Sequence, residues 1–372
     1  MKTDYAELAE KLLMDICVIP APSGKEEKRA EYILNTLTDW GIDAYIDEAK
    51  NIIAEYKGAT DAEISVFAAH TDVVFPDMEP FEIKQEGSRF MCPGCGDDTV
   101  AAAILMAVLK KLHDEKAEAK NTVLFVLNSC EEGLGNLKGT RAVMEKYGDK
   151  VKEFITFDGQ YNAVVNKSVG SHRYHVTVKT RGGHSFNDFG NTNAAAVLAE
   201  MITKIYSLKV PDRGNRTTYN VGLIEGGTSV NTIIQEASML CEYRSDDYDA
   251  LMYMENAFAT IFDKIRSKYS GDAEVIVELV GERPCMKAVD EEKLDKLTSL
   301  IADIQKKHSG MEIAVNSGST DCNIPHSMGI PAVCAGCYIG GGAHTREEWL
   351  DVESIPTGFD IAEEIIRRMC YE

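Results

Sequence analysis

Strand-like apolar runs alternate with helical stretches between residues 63 and 160. The runs EISVFAAHTD, NTVLFVLNSCEE and EFITFDGQ have the length and composition of buried strands. The stretches DDTVAAAILMAVLKKLHDE and GTRAVMEKYG, which lie between them, have helical patterns. Strands that alternate with helices in this way favour an α/β domain with a mixed, largely parallel sheet.

The pattern changes at about residue 171. HRYHVTVKTRGG alternates with a period of two, and the elements that follow predict the order β-α-β-β-α-β, which is typical of a ferredoxin-like α+β unit. From about residue 284 the chain returns to an α/β pattern. We therefore predict a discontinuous first domain, residues 1–170 and 284–372, with a second domain inserted at residues 171–283.

Acidic residues and one histidine follow the predicted strands or begin the predicted helices of the first half. They are His70, Asp72, Asp97, Asp98, Glu131, Glu132 and Asp158. Ligands of an open parallel sheet bind at the carboxyl ends of its strands, so we expect these groups to converge there. Such a group of acids is unstable without a cation, and mixed imidazole and carboxylate ligands suit zinc or a similar first-row metal.

Each of these residues also has an ordinary structural interpretation. His70 is compatible with a hydrogen-bonded core histidine, Asp97 with a helix cap, and Asp98 with an acid in the first turn of a helix. Asp158 precedes Gly159 and suits a turn. Taken singly, these interpretations are the better ones, but together they do not explain why every strand delivers such a group to one edge.

Composition excludes several classes of partner. The formal net charge is −21, from 39 basic and 60 acidic residues, which disfavours binding to nucleic acid or to anionic membranes. No apolar run has the length of a membrane span, and MKTDYAELAEKLLMDI predicts an amphipathic helix rather than a signal peptide. We therefore predict a cytoplasmic protein whose ten cysteines are reduced.

Five motifs, taken in order, resemble those of the co-catalytic di-metal exopeptidases that include peptidase T, aminoacylase and carnosinase. They are HTD, GDD, SCEEG, FDG and GGAHTREEW, and the resemblance extends over essentially the whole chain. It implies a zinc-exopeptidase-like catalytic domain with an inserted lid and dimerisation domain, and hence a homodimer. Within this family, a peptidase T-like tripeptide aminopeptidase is the member that we expect.

The resemblance also implies roles for individual residues. Two divalent ions per chain, zinc with cobalt or manganese as alternatives, would be bridged by one shared acid. The implied ligands are Asp97 as the bridge, His70 and Asp158 at one ion, and Glu132 and His344 at the other. Glu131 would be the general base that acts on a water shared by the metals, and Asp72 would orient the ring of His70.

Three further residues belong to the inserted segment. By the same resemblance, His184 would donate a hydrogen bond to the oxyanion from the lid of the other subunit. Arg244 and Asn231 would hold the carboxylate and the backbone of the substrate. From the residues alone, a turn after two glycines is the preferred interpretation of His184, and Arg244 is equally compatible with an ion pair on the surface of the lid.

Several functions remain open at this stage. The leading one is a tripeptidase or aminopeptidase of short peptides, and an N-acyl-amino-acid amidohydrolase or dipeptidase would use the same metal core. A protein that binds peptides or metals without turnover is a different class. A redox or zinc-ribbon protein built on the C-x-x-C pairs Cys92/Cys95 and Cys334/Cys337 is a third.

Overall fold

The computed structural model describes residues 4–371, with the exception of the side chain of Asp61. The chain divides into two compact units. The first is drawn from Met1–Ser168 and Lys287–Glu372, and the second is Val169–Met286. The predicted N-terminal helix is present from Asp4, and residues 1–3 of that prediction lie outside the described residues.

The described residues form helices and strands that are numbered along the whole chain. The helices are α1 Asp4–Cys17, α2 Glu27–Asp39, α3 Val100–Asp114, α4 Lys138–Tyr147, α5 Ala194–Tyr206, α6 Tyr248–Lys268, α7 Glu291–Ser309, α8 Asn323–Ser327 and α9 Ile355–Cys370. The strands are β1 Ala44–Ile46, β2 Ile52–Tyr56, β3 Thr60–His70, β4 Lys84–Glu86, β5 Arg89–Met91, β6 Asn121–Asn128, β7 Val151–Phe157, β8 Ala163–Ser168, β9 Gly170–Thr180, β10 Gly183–His184, β11 Thr217–Gly226, β12 Thr232–Ile233, β13 Glu236–Ser245, β14 Ala273–Arg283, β15 Ala314–Gly318, β16 Ala332–Ala335, β17 Gly340–Gly341 and β18 Trp349–Asp351. Of these elements, α5, α6 and β9–β14 belong to the second unit.

An eight-stranded sheet forms the centre of the first unit, with the order β1-β2-β6-β3-β7-β16-β8-β15. The neighbours β6, β3, β7 and β16 run parallel, whereas β2 pairs with β6 and β8 with β16 in antiparallel fashion. The prediction of a mixed, largely parallel sheet is therefore confirmed. Parallel central strands matter for function because their carboxyl ends open at a single edge.

Helix α3 is buried around most of its circumference, from Val100 to Leu109. It packs against β3 as well as against α1 and α9. A helix that is apolar on nearly all sides must lie within the core of its unit. The start of α3, which lies two residues after Asp98, is consequently held in place by packing.

The second unit has a four-stranded antiparallel sheet with the order β11-β13-β9-β14. Its two helices, α5 and α6, pack their apolar residues against β9 and β13, and this core includes Met201, Tyr243 and Phe258. The observed element order and strand order are those of the ferredoxin-like pattern. The predicted α+β architecture of the insertion is confirmed.

The helices within residues 4–371 are all too short or too polar to cross a lipid bilayer.

A buried histidine supports the loop between α8 and β16 in the first unit. The ring of His326 lies within hydrogen-bonding distance of the hydroxyl of Ser168, at 2.6 Å, and of the carbonyl of Ala332, at 2.8 Å. Burial lowers the pKa of His326 to about 4. The folded state therefore favours the neutral ring, whereas the unfolded chain binds a proton near pH 6.5.

This difference in pKa predicts acid destabilisation. A pKa that is depressed by folding contributes stability above the unfolded value, and that contribution is lost as the pH falls from about 6.5 towards about 4. We expect the free energy of unfolding to fall between pH 7.5 and pH 5 by about 2 kcal/mol more in the wild type than in His326→Gln. Urea titrations at both pH values measure it, with the partly exposed His175→Gln as control. An equal decrease in the free energy of unfolding of the wild type and His326→Gln would contradict it.

Candidate metal centre

Three neighbouring parallel strands deliver polar side chains to one edge of the sheet. Strand β3 ends at His70, which lies in register with Asn128 at the end of β6, and Glu131 and Glu132 follow that strand. Strand β7 ends one residue before Asp158. The prediction that these residues converge rests on the shared direction of the strands, and the structure brings them together as expected.

Asp97 lies in an irregular turn before α3 rather than at a helix cap. The helix begins after Thr99, and Asp97 and Asp98 have non-helical backbone angles with a cis peptide bond between them. The carboxylate of Asp97 lies 3.0 Å from Nε2 of His70. Asp98 instead accepts the backbone N–H of His70 at 3.1 Å. The helix-cap interpretation of Asp97 is therefore wrong.

His344 approaches the same acids from a glycine-rich loop that follows β17. Its backbone adopts a left-handed conformation, with φ of 65°. Its Nε2 atom lies 3.1 Å from the second oxygen of Asp97 and 3.0 Å from Glu132. Both oxygens of Asp97 therefore face an imidazole, one on each side.

The ligand atoms form two groups that share Asp97. One group is His70, Asp97 and Asp158, and the other is Asp97, Glu132 and His344. A third combination joins Glu131 and Glu132 to His70, and within each group the ligand atoms lie within 4.8 Å of one another. Two groups that share one carboxylate have the form of a site for two adjacent metal ions.

The two histidines are held by carboxylates. Burial disfavours the charged ring of His70, but the carboxylates of Asp72 and Asp97 outweigh it and raise the pKa of His70 well above its usual range. Hydrogen bonds to Asp97 and Glu132 raise the pKa of His344 to about 10. Both rings are therefore placed where positive charge is strongly favoured.

The acids of the centre differ in how readily they ionise. Burial opposes ionisation of Asp97, but hydrogen bonds from His344 and His70 outweigh it and lower its pKa. Burial, together with the charge of Asp97, raises the pKa of Asp158 to about 7. Two imidazoles cannot balance the negative charge of four carboxylates. The raised pKa of Asp158 reflects this, because the neighbouring negative charge opposes its ionisation.

This donor set fits divalent cations. Imidazole nitrogens and carboxylate oxygens are ligands of zinc and of other first-row metals, and a cation between the groups would stabilise the ionised form of Asp158. Each of the two groups supplies three protein ligands, which leaves positions for water or substrate, as in catalytic rather than structural zinc sites.

Residues 66–368 match the Peptidase family M20/M25/M40. The chain belongs to this family. It is thus a metallopeptidase or amidohydrolase of the M20 type, and the resemblance inferred from the five motifs is confirmed.

Curated relatives that match most of the chain share about a quarter of their residues or fewer with it. Carboxypeptidase G2 of Pseudomonas sp. (strain RS-16) is 22% identical over 334 residues, which cover 85% of this chain and 76% of that protein. Succinyl-diaminopimelate desuccinylase of Corynebacterium glutamicum is 24% identical over 356 residues, which cover 91% and 90%. The similarity therefore extends across both units.

Solved structures of the same fold include two peptidases. A tripeptidase from Staphylococcus aureus subsp. aureus Mu50 superposes with a TM-score of 0.79 at 20% identity and covers 99% of both chains. Aminopeptidase PepT from Bacillus cereus ATCC 10987 superposes with a TM-score of 0.75 at 20% identity and covers 97% of this chain and 98% of that chain. At this identity they establish the M20 fold.

Asp72 contacts the ring of His70 through its backbone as well as through its carboxylate. The ring nitrogen Nδ1 lies 3.1 Å from the backbone carbonyl of Asp72, whereas the carboxylate is 3.6 Å away. That carboxylate accepts the backbone N–H groups of Glu131 and Glu132, both at 2.9 Å, and the hydroxyl of Ser23 at 2.6 Å. Asp72 thus joins the loop of the paired glutamates to the end of β3.

Two buried glutamates near the centre were not identified by sequence reasoning. Glu348 accepts backbone N–H groups from the loop that carries Asp97. Glu26 accepts the backbone N–H of Cys130, next to Glu131, at 3.2 Å. Burial raises the pKa of Glu348 to about 7, although its three hydrogen bonds favour the ionised form. The sequence feature that could have pointed to them is an adjacent acid: Glu26 precedes Glu27 in KEE, and Glu348 follows Glu347 in REEW.

Two of the three predicted residues of the second unit, His184 and Asn231, are exposed. The ring of His184 accepts the backbone N–H of Phe186 through Nδ1, at 3.2 Å, and this leaves Nε2 as the protonated nitrogen of the neutral ring. The side-chain oxygen of Asn231 accepts the hydroxyl of Ser229 at 2.8 Å. The backbone N–H of Ser185 donates to the carbonyl of Asn231, so the loops that carry His184 and Asn231 are joined.

Arg244 forms the ion pair that was raised as an alternative to substrate binding. Its Nε and Nη2 atoms donate to the two oxygens of Glu242, at 2.8 and 3.0 Å. This bidentate pair lies on one face of β13, where residues two apart point the same way.

The cysteines are not part of the metal groups formed by the described residues. All ten are buried free thiols, and the pairs Cys92/Cys95 and Cys334/Cys337 lie outside the three ligand groups. Burial also raises the pKa of Cys130, beside the paired glutamates, to about 12. Buried free thiols favour a packing role over a redox one.

The shared position of Asp97 predicts how metal content responds to single substitutions. We expect Asp158→Asn and His344→Asn each to weaken one of two bound ions, and Asp97→Asn to weaken both. Elemental analysis after dialysis against a weak chelator measures the ions per chain. Substitution of the exposed Glu347 to Gln is the control, and a full complement of metal in Asp97→Asn would contradict the shared role.

Proposed function

We propose that this M20 protein is a metal-dependent exopeptidase of the tripeptidase or aminopeptidase type that hydrolyses short peptides. The observation that carries the proposal is the position of Glu131. Its carboxylate lies with His70 and Glu132 in one group, yet it belongs to neither of the two groups that share Asp97. It thus lies outside the pair of groups that share a carboxylate, yet close enough to His70 and Glu132 to act on a water at the centre.

His70, Asp97 and Asp158 would hold one divalent ion, and Asp97, Glu132 and His344 the other. Zinc is the favoured metal, with cobalt or manganese as alternatives. Such a pair of ions, when bound, lowers the pKa of water and polarises the scissile carbonyl. Glu131 then takes a proton from the attacking water and passes it to the leaving amine. The buried position of Glu131, only 5% exposed, limits exchange of that proton with solvent.

The proposal also concerns the domains: a discontinuous catalytic domain carries the metal centre, and the inserted domain serves as a lid. His184 donates a hydrogen bond to the oxyanion of the tetrahedral intermediate through Nε2, because its Nδ1 is occupied as an acceptor. We assign this donor to the lid of the partner in a cytoplasmic homodimer formed through the inserted domain. Asn231 holds the backbone of the substrate, and Arg244 holds its carboxylate after release from Glu242.

An N-acyl-amino-acid amidohydrolase or dipeptidase is the second candidate. The observation that favours it is the similarity in sequence to a desuccinylase and to a carboxypeptidase across most of the chain. In all of these reactions water attacks an amide carbonyl, so the same metal centre suits them. A binding protein without turnover is less well supported, because the chain has a carboxylate at the position of the proposed base and a carboxylate or imidazole at each of the five proposed ligand positions.

A panel of substrates tests the reaction and the base together. We expect chelator-sensitive hydrolysis of a tripeptide over a dipeptide and an N-acetyl amino acid, and a loss of at least about 10²-fold in kcat for Glu131→Ala with unchanged metal content. Chromatographic product analysis with each substrate provides the rates, with Glu347→Gln as control. Preference for the N-acetyl amino acid would favour the second candidate, and unchanged kcat in Glu131→Ala would remove Glu131 as the base.

Mixed dimers test the assignment of His184 to the partner. We expect Glu131→Ala and His184→Ala to be nearly inactive alone, whereas their co-expressed mixture regains up to roughly a quarter of wild-type activity, since half of the dimers are mixed and each has one intact site. Steady-state rates of the purified mixture measure this. If His184 instead acts within its own subunit, co-expression restores nothing.

A further inference from the structure

We propose that Glu348 is a positioning residue that holds Asp97 in place as the shared ligand, an inference that rests on the proposed function. Its side chain is only 2% exposed. Nothing in its immediate sequence context distinguishes it from Glu347, which is exposed. The difference lies in what the buried carboxylate contacts.

The carboxylate of Glu348 binds the backbone of one short loop. One oxygen accepts the N–H of Gly94 at 2.7 Å, and the other accepts the N–H groups of Gly96 and Asp97, both at 2.8 Å. The negative charge therefore faces three main-chain donors of a turn, an arrangement that favours an anion. Among these donors is the backbone of the proposed bridging ligand itself.

Strand pairing explains how Glu348 reaches this loop. It directly precedes β18, which pairs antiparallel with β5, and Trp349 lies opposite Met91. The loop with Gly94, Gly96 and Asp97 follows β5 in the chain. His344 lies four residues before Glu348. A single carboxylate thus connects the two loops that carry Asp97 and His344.

The loop has little freedom to compensate for loss of this anchor. Gly94 adopts a left-handed conformation with φ of 74°, and a Cβ atom at Gly96 would lie 2.7 Å from the hydroxyl of Tyr338. Both oxygens of Asp97 are engaged, by His70 at 3.0 Å and by His344 at 3.1 Å. A small rotation of the Asp97 backbone would therefore misalign both ligand groups at once.

Glu348→Gln and Glu347→Gln form a matched pair of tests. The amide has the shape of the carboxylate, but its NH2 group would face a backbone N–H, so at least one of the three hydrogen bonds is lost. Outer partners of metal ligands typically contribute 10–100-fold to metal affinity. We expect Glu348→Gln to bind Zn²⁺ roughly 10–100-fold more weakly than wild type and Glu347→Gln to bind it equally well.

Competition with a chromophoric chelator measures this affinity without any substrate. The absorption spectrum of the Co²⁺-loaded protein reports ligand geometry, and we expect it to change in Glu348→Gln alone. Melting of the chelator-treated proteins is the third readout, and we expect it to be the same for all three. Glu348→Asp, which keeps the charge on a shorter side chain, is the second variant, and we expect a smaller loss of affinity.

The outcomes are distinct. Wild-type affinity and spectrum in Glu348→Gln would overturn the positioning role, and so would chelator-treated Glu348 variants that are both unfolded, because the residue would then serve the fold in general. A wild-type protein that binds no metal would overturn the proposed function itself. Metal binding in the wild type with no hydrolysis of any peptide would leave Glu348 as a positioning residue and remove the exopeptidase assignment.

Discussion

Backbone N–H groups donated to buried carboxylates hold the metal centre together. Asp72 accepts those of Glu131 and Glu132, Asp98 accepts that of His70, and Glu348 accepts that of Asp97. A buried carboxylate needs several hydrogen bonds to offset its desolvation, and irregular loops at strand ends have free N–H groups to offer. The carboxylates thus gain donors and the loop N–H groups gain acceptors. Loops that lack helix or strand hydrogen bonds are fixed in this way and can support the ligands.

The same arrangement explains why acids occur in adjacent pairs. In Asp97-Asp98, one carboxylate faces the imidazoles and the other accepts a backbone N–H behind them. In Glu131-Glu132, the carboxylate of the second lies 3.0 Å from Nε2 of His344, while both backbones are held by Asp72. Consecutive side chains in an extended or irregular segment point in different directions, so neighbours in sequence take different tasks.

Much of this architecture could be predicted because it follows from periodicity. Strand β3, strand β6 and their register determine that His70 and the paired glutamates meet at one edge. His344 has no such pattern and came only from the resemblance of its motif. Glu348 was missed because its role depends on which N–H groups a glycine-rich loop leaves free, and that is a property of the folded backbone. Glu242, in contrast, lies two residues from Arg244 on a predicted strand. Residues two apart on a strand point to the same face, so this ion pair is compatible with the sequence pattern.

The pairing of Arg244 with Glu242 has a consequence for substrate selection in the proposed function. A substrate carboxylate must displace an internal one that already binds the guanidinium through two hydrogen bonds. The exchange replaces one charged pair with another, so its net gain is small, and the displaced carboxylate of Glu242 keeps an ion pair with Arg173, whose Nε atom lies 3.4 Å away. Recognition of the C-terminal end of a substrate would therefore add less affinity than an unpaired arginine would provide. Discrimination between a peptide and an N-acyl amino acid must then depend mainly on groups that bind the other end of the substrate.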